Sequence, residues 1–458
     1  MFKKIEIWIL YLVCLLGIPI TIGFGSVVRY EILGGTKLGK VSETALFLAK
    51  IPTKIKDIFV NFEPLQVKDR FPLLEGFNGT PHSNESYLLL SRYEGVLKEG
   101  IVELVDLTNF KVLHTWNPDI DEFNKSVDKV DEFKFLKRDN NNFRQRLFHP
   151  ILTRDGGLIF NSSSFRKIDA CSKLVFQNTH DIFHHSIETD IEGNIWVPSH
   201  MYPQSLTVEK VGREIPADNG YFDDAIVKLS PDGKILFEKS LSQIFIDNGL
   251  EYLIFSLGGS YPMGSVNLRI DPIHLNDIQP VDFDGKFWKK GDVFLSLRHQ
   301  SMVLLYRPST NKIIWKRTGP FFYQHDVDII NDHKISVFNN NSKDFASGNV
   351  VDGNNEVIIY DFETDEYSTY LSDSLMKNDV RTITGGLNQI LSNGDLFVHE
   401  TNYGRTLYFN SDGSLRWTYV NRASNGKVYL IGGFRILYND EEIQIVNKFL
   451  KSRGKCND

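Results

Sequence analysis

The stretch VKLSPDGKILF, Val227 to Phe237, decides the reading of the fold. Apolar residues alternate on both sides of a Ser-Pro-Asp-Gly corner, the pattern of two antiparallel strands joined by a tight turn. Five further stretches repeat it: VDLTNFKVLHTW (Val105–Trp116), KIDACSKLVF (Lys167–Phe176), LYRPSTNKIIW (Leu305–Trp315), YDFETDEYSTY (Tyr360–Tyr370) and YFNSDGSLRW (Tyr408–Trp417). The copies begin at 105, 167, 227, 305, 360 and 408, a mean spacing of about 61 residues. Hairpins at this period predict an all-β, six-bladed β-propeller, whose sheets each bury both faces against their neighbours. One large domain then replaces the three that about 150 residues per domain would give for a chain of 458 residues.

Composition agrees with a folded, β-rich chain. Hydrophobic residues make up 41% and charged residues 24%, which excludes a disordered or collagen-like protein. Aromatic residues reach 12%, a lean toward strands. The net charge is −7, so no basic face for nucleic acid is expected. Three cysteines exclude a disulfide scaffold or a multi-cysteine zinc module.

Residues Ile7 to Val28, IWILYLVCLLGIPITIGFGSVV, form one apolar run. At 1.5 Å per residue a helix of this length crosses a hydrocarbon core of about 30 Å. Lys3 and Lys4 precede it and no small-residue cleavage site ends it, so it reads as an uncleaved anchor, with a late-cleaved signal as the alternative. The expected organisation is an anchor over 1–30, a stalk over 31–84, the propeller over 85–450 and a tail over 451–458. The stalk contains a short helix over Ser42–Phe59, broken at Pro52. The expected location is that of a single-pass membrane protein with its propeller on the extracytoplasmic side, periplasmic or extracellular. GGTKLGKV, Gly34 to Val41, nearly fits a phosphate loop but has Val41 in place of the magnesium-binding Ser or Thr and follows no strand.

A second pattern follows each hairpin: a leading residue, a short strand, a Gly or Asp turn and an apolar strand. The copies begin at His149, His185, His274, His325, Gly386 and Gly433. In a propeller this strand starts the next blade and lines the central channel. A lone histidine is usually a satisfied core or surface residue, but four at one repeat position are expected at one depth around a shared axis. Two chemistries fit such a ring. Neutral imidazoles hold iron or zinc. Alternatively, a neutral imidazole attacks a sulfuryl or phosphoryl centre while a guanidinium clamps the oxygens. DPIHLNDIQ places Asn276 beside His274, GDVFLSLRHQ delivers Arg298 and YQHD delivers His325. A fixed positive charge at Arg298 disfavours a bound cation. HDIFH, His180 to His184, resembles HExxH but has Asp181 and lies in strand and loop surroundings, so no metal and no cofactor are expected. Alternation points His299 away from Arg298, into the blade. Glu188, Asp190 and Asp326 are candidate acceptors for the imidazoles or turn residues. Asn140–Asn142 and Asn339–Asn341 have loop composition.

The order H-x-N, then a strand ending S-x-R, then Q-H-[DT], resembles the aryl sulfotransferases that do not use a nucleotide sulfate donor. The resemblance spans roughly residues 100 to 440 and is strongest from Asp271 to Asn340. It implies a six-bladed propeller with a funnel over a central site, and transfer of a sulfo group from an aryl sulfate to a phenol through a sulfo-histidine. His325 matches the sulfated histidine, His274 and Arg298 the anion-binding pair, and His185 the remaining histidine. Asn276, His149 and Tyr323 are the expected substrate contacts. The family's periplasmic enzymes carry a structural disulfide, and Cys171 and Cys456 are the two cysteines here outside the apolar run. The implied partners are a small aryl sulfate and a phenol, together with a membrane at the N-terminus. The alternatives are a membrane-tethered binding scaffold without catalysis and a His-ligated metal enzyme on the same propeller.

Overall fold

The computed structural model describes residues 6–32, 37–59, 65–127, 141–206, 222–255, 271–345 and 348–452. Cys456 and the end of the tail lie outside the described residues. The chain divides into two compact units, Met1–Pro64 and Leu65–Asp458.

In the first unit, helix Ile7–Ile32 leaves apolar side chains such as Trp8, Tyr11, Leu15, Ile18, Ile22 and Phe24 exposed. Its segment Tyr11–Glu31 is long and apolar enough to cross a membrane, and none of it is buried. Helix Lys40–Phe59 runs through Pro52 rather than breaking there. A proline removes one amide from the ladder, and the flanking turns carry the helix on.

The second unit is an all-β, propeller-like arrangement. Each predicted hairpin is a pair of antiparallel strands. Four sheets are single antiparallel meanders. They run over Leu275–Thr318, over Val327–Tyr370 with a two-stranded ribbon inserted, over Leu387–Val420, and over Tyr87–Trp116 with Ile431–Leu437 on its edge. Gly76–Gly79 adds a strand to the Leu387–Val420 sheet. A further sheet of seven strands covers Phe148–Ser240. Pairing of Ile431–Leu437 with Tyr87–Glu94 joins the two ends of the unit in one sheet.

Period-two alternation explains why both faces of these sheets are dry. Leu88 and Leu90 pack with Phe397, Tyr408 and Trp417, whereas Leu89 between them packs with Leu104, Trp116 and Phe160 on the other side. The same division places Phe294, Val303 and Leu305 against Val337 and Ile358, while Leu295 and Leu304 join Ile226 and Ile244.

The copy beginning at Gly433 departs from its expected form. Its strand Ile431–Leu437 is followed by an α-helix, Asp440–Ser452, and not by a second strand. Asn439 accepts the Glu442 amide at 2.9 Å, and the Glu442 carboxylate accepts the amides of Tyr438 and Asn439. That reciprocal cap starts the helix, and Ile443, Val446, Phe449 and Leu450 supply an apolar stripe at helical spacing.

Candidate active site

The leading position of the second pattern is a backbone bend. His149, His185 and His274 have φ of 43°, 58° and 59°, and Gly386 and Gly433 have 91° and 152°. Glycine is the default residue for such conformations. A histidine there costs on the order of 1–2 kcal/mol, so its presence at three equivalent bends points to use of the side chain. The fourth copy is offset: Tyr323 takes the left-handed position at φ 53°, and His325 follows it by two residues. The bends are pinned from neighbouring segments. The His274 amide donates to Asp224 at 2.8 Å, the His274 carbonyl accepts the Arg298 amide at 3.0 Å, and Asn161 donates to the His185 carbonyl at 3.2 Å.

These bends open on one cavity of about 320 Å³, lined among others by His149, His185, His274, Asn276, Arg298 and His325. The His185 ring centroid lies 5.0 Å from that of His274 and 6.2 Å from that of His325. Residues about 140 positions apart in the chain thus meet at one cavity.

His325 is neutral and held in one tautomer. Asn340 Nδ2 donates to the carbonyls of Thr382 and Gly385 at 3.1 and 2.7 Å, which leaves its Oδ1 as an acceptor. His325 Nδ1–H therefore donates to Asn340 Oδ1 at 2.6 Å, and the lone pair on Nε2 accepts the Gly385 amide at 2.9 Å. Burial pushes its pKa well below the ordinary value, and the charges of Arg298 and His274 push the same way. Burial also lowers His185 well below that value, with His184 and His274 adding to it.

His274 Nδ1 is hydrogen-bonded to the Asp271 carboxylate. Burial would raise Asp271, but the bond from His274 and the proximity of His274 and His299 hold it down at about 2. Asp271 thus orients His274.

Arg298 is clamped on two sides. Its guanidinium lies 4.8 Å from the centre of the Tyr323 ring and donates from Nη1 to His299 Nε2 at 2.9 Å. His299 Nδ1 in turn donates to the Asp271 carbonyl at 2.8 Å. His299 does not point into the blade as alternation predicts. Strand Val293–Leu297 ends one residue before Arg298, and Arg298–Gln300 is a 3-10 turn, so the two-residue period no longer applies.

The remaining predicted residues take distinct places. Asn276 Nδ2 donates to the Gln324 carbonyl at 2.9 Å, while its buried Oδ1 has no hydrogen-bond partner. His149 lines the cavity, and burial, with Arg435 and His399 nearby, lowers it to about 3. Tyr323 stacks behind Arg298 and does not line the cavity. Glu188 pairs with Arg435, Asp190 holds a turn at Asn194, and Asp326 accepts the Asn388 amide, so none of these bonds an imidazole.

Sequence reasoning missed Asp271, His299, Asn340 and the Gly385 turn. Asp271 had a local signal, its position three residues before His274. Asn340 had none: it is fully buried, although its neighbours read as an Asn-rich loop.

The model of a family described as Arylsulfotransferase (ASST) matches residues 149–422. No curated protein matches the chain. Among solved structures, a protein of unknown function from Bacteroides caccae is similar at 10% identity, covering 77% of this chain and 99% of that one, with a TM-score of 0.44. A streptogramin B lyase is similar at 12% identity over 79% and 97%, with a TM-score of 0.36. The WD40 β-propeller domain of Doa1 is similar at 10% identity over 83% and 96%, with a TM-score of 0.39.

Proposed function

The chain belongs to the arylsulfotransferase family, and from that premise we propose that it moves a sulfo group from an aryl sulfate ester to a phenol through a sulfo-histidine on His325. The observation that carries this reading is the convergence of His185, His274, Arg298 and His325 on one cavity, with the His325 Nε2 lone pair unprotonated.

In the first half-reaction Nε2 forms a bond to sulfur as the sulfur–phenol oxygen bond breaks. The departing phenolate takes a proton from His274, which Asp271 orients through Nδ1. Positive charge that develops on the His325 ring is met by the Asn340 carbonyl oxygen on Nδ1. Arg298 holds the sulfuryl oxygens, and its stack on Tyr323 fixes the plane of the guanidinium. The Gly385 amide, which sits on Nε2 without substrate, turns to a sulfuryl oxygen when sulfur takes its place. In the second half-reaction His274 takes the proton of the acceptor phenol, whose oxygen attacks sulfur and releases His325. Protons and bonds balance over the cycle, and the kinetics are ping-pong. His185 is the second histidine facing the transferred group, and Asn276 lines the same cavity.

Among the described residues, Leu174–Phe183 and Ile195–His200 pair at Ile182↔His200 and Phe183↔Ser199 alone, so the seven-stranded sheet is narrowly joined at its middle. On this reading its halves count as two blades, which with the four other sheets would give six. The reading also places the propeller outside the cytoplasm, behind the N-terminal apolar helix acting as an anchor. Cys171 is disulfide-bonded, as suits an oxidising compartment.

The test mixes the purified protein with an aryl sulfate that releases a coloured phenol and with a colourless acceptor phenol. Release by wild type and its loss in His325→Asn are expected. No release by wild type, or undiminished release by the variant, ends this reading.

A further inference from the structure

A second histidine cluster lies against the cavity but takes no part in the chemistry above. His200 ends strand Ile195–His200, Asp224 begins strand Asp224–Leu229, and the two are direct partners across the ladder. His184 follows strand Leu174–Phe183, and its amide donates to the Pro198 carbonyl at 3.1 Å. Three neighbouring strand ends thus aim His184 Nε2, His200 Nε2 and Asp224 Oδ1 at one point.

Asp224 Oδ1 lies 3.5 Å from each of the two Nε2 atoms, and all three atoms lie within 4.8 Å of one another. A separation of 3.5 Å is long for a hydrogen bond. It is close to the edge of a tetrahedron, about 3.4 Å, formed by ligands about 2.1 Å from a central ion. Asp224 is fully buried, and both its Oδ1 and His184 Nε2 are buried without a hydrogen-bond partner. Buried polar atoms rarely remain unpaired, so two that face each other across a gap of this width call for a third species. Phe222 stacks flat on the His200 ring at 4.5 Å and walls one side.

Two other groupings among the described residues fail the same test. In the Asp271–His274–His299 group, Asp271 Oδ2, His274 Nδ1 and both His299 nitrogens are spent in hydrogen bonds, and of the group's buried atoms only Asp271 Oδ1 is without one. Asp181 in the His180–Asp181–Glu238 group bonds Ser199, and His180 is exposed.

We propose that His184, His200 and Asp224 bind one divalent transition-metal ion of the zinc type, with a fourth position left for water. Two imidazoles and one carboxylate favour such an ion over magnesium or calcium, which take oxygen ligands. The second shell ties the ion to the cavity. Asp224 Oδ2 holds the His274 amide, and His184 Nδ1 lies 2.7 Å from His185 Nδ1. With the ion on its Nε2, His184 keeps its proton on Nδ1 and donates it to His185, whose own proton then sits on Nε2. This last link rests on the sulfuryl-transfer reading; the metal site itself does not.

The test uses the full chain, stripped with a chelator and titrated with Co²⁺ as a coloured stand-in for Zn²⁺, with Zn²⁺ content measured separately after reloading. One equivalent of Co²⁺ with the visible bands of a tetrahedral nitrogen–oxygen site is expected, together with a Zn²⁺-dependent rise in melting temperature. His200→Gln and Asp224→Asn should each lower affinity at least about a hundredfold, while His180→Ala should bind as wild type does. Folding of the variants is checked by circular dichroism; if neither folds, the wild-type stoichiometry decides. Substoichiometric binding by folded wild type, or binding that persists in folded His200→Gln, overturns the proposal. So does loss of binding in His180→Ala. Because no aryl sulfate is present, failure here is separate from failure of the transfer reaction.

Discussion

The inner strands carry two tiers of polar residues that do opposite jobs. At the bends, His149, His185 and His274 leave the ladder and turn their rings to the cavity. One to three residues further on, the side chains are acidic and tie segments of the unit together. Asp277 accepts the Val327 amide at 3.0 Å, Asp326 accepts the Asn388 amide at 2.9 Å, and Glu188 pairs with Arg435 at 3.0 Å. Asp224 does the same for His274. The Asp277 and Asp326 bonds each cross from one inner strand to the next. Groups at a bend are free to meet a ligand because the ladder does not use them. Asp224 and Asp277 each spend one oxygen in joining neighbouring sheets, and burial raises the pKa of Asp277, Asp326 and Asp328.

The comparison can be broken by substitutions in each tier, and the largest effect is expected at the nucleophile. His325→Asn should lower turnover by at least about a thousandfold, measured as release of the coloured phenol, with no labelled sulfate retained on the protein. Arg298→Lys keeps the charge but loses the planar fork and the stack on Tyr323. A loss of about a hundredfold in kcat is expected, and an equal kcat for the variant would remove Arg298 from the transfer step. Asn340→Leu removes the acceptor that fixes the His325 tautomer. It should lower kcat by about ten- to a hundredfold with little change in KM, and Asn340→Asp, which restores an acceptor, should recover part of it.

The smallest effect is expected in the carboxyl tier and is read as stability. Burial raises Asp277 to about 7, with the neighbouring Glu188 adding to it. The folded chain therefore keeps a proton that the unfolded chain releases near pH 4. The contribution of Asp277 to folding stability should fall as pH rises from about 4 to 7, by a few kcal/mol at most, while the buried neutral histidines contribute in the opposite sense. The melting temperature of Asp277→Asn relative to wild type should rise across that window, because the variant lacks the carboxyl whose proton is lost there. A difference that does not change with pH would count against the assignment of this tier.

Much of this arrangement was legible from the chain alone. Turn chemistry such as Ser-Pro-Asp-Gly between alternating apolar residues marks a hairpin locally, so all six hairpins fall where the pattern puts them. The recurring His and Gly positions are visible for a related reason: a bend that needs positive φ admits few residue types, and the exceptions stand out. The pattern failed where a different local rule took over. At Arg298–Gln300 a 3-10 turn replaces the strand and brings His299 beside Arg298. At Asn439 a cap starts a helix where the repeat called for a strand.

By itself the sequence determined the strand-and-turn repeat, the apolar N-terminal segment and the histidine-bearing bends, because each depends on residues close together in the chain. Only the tertiary structure decided that Asn340 faces His325, that Asp271 backs His274 and holds His299, and that His184, His200 and Asp224 converge. These pairings are set by how neighbouring sheets dock. Docking is driven by apolar surface whose burial is nearly non-directional, so it leaves little mark on the polar residues it brings together.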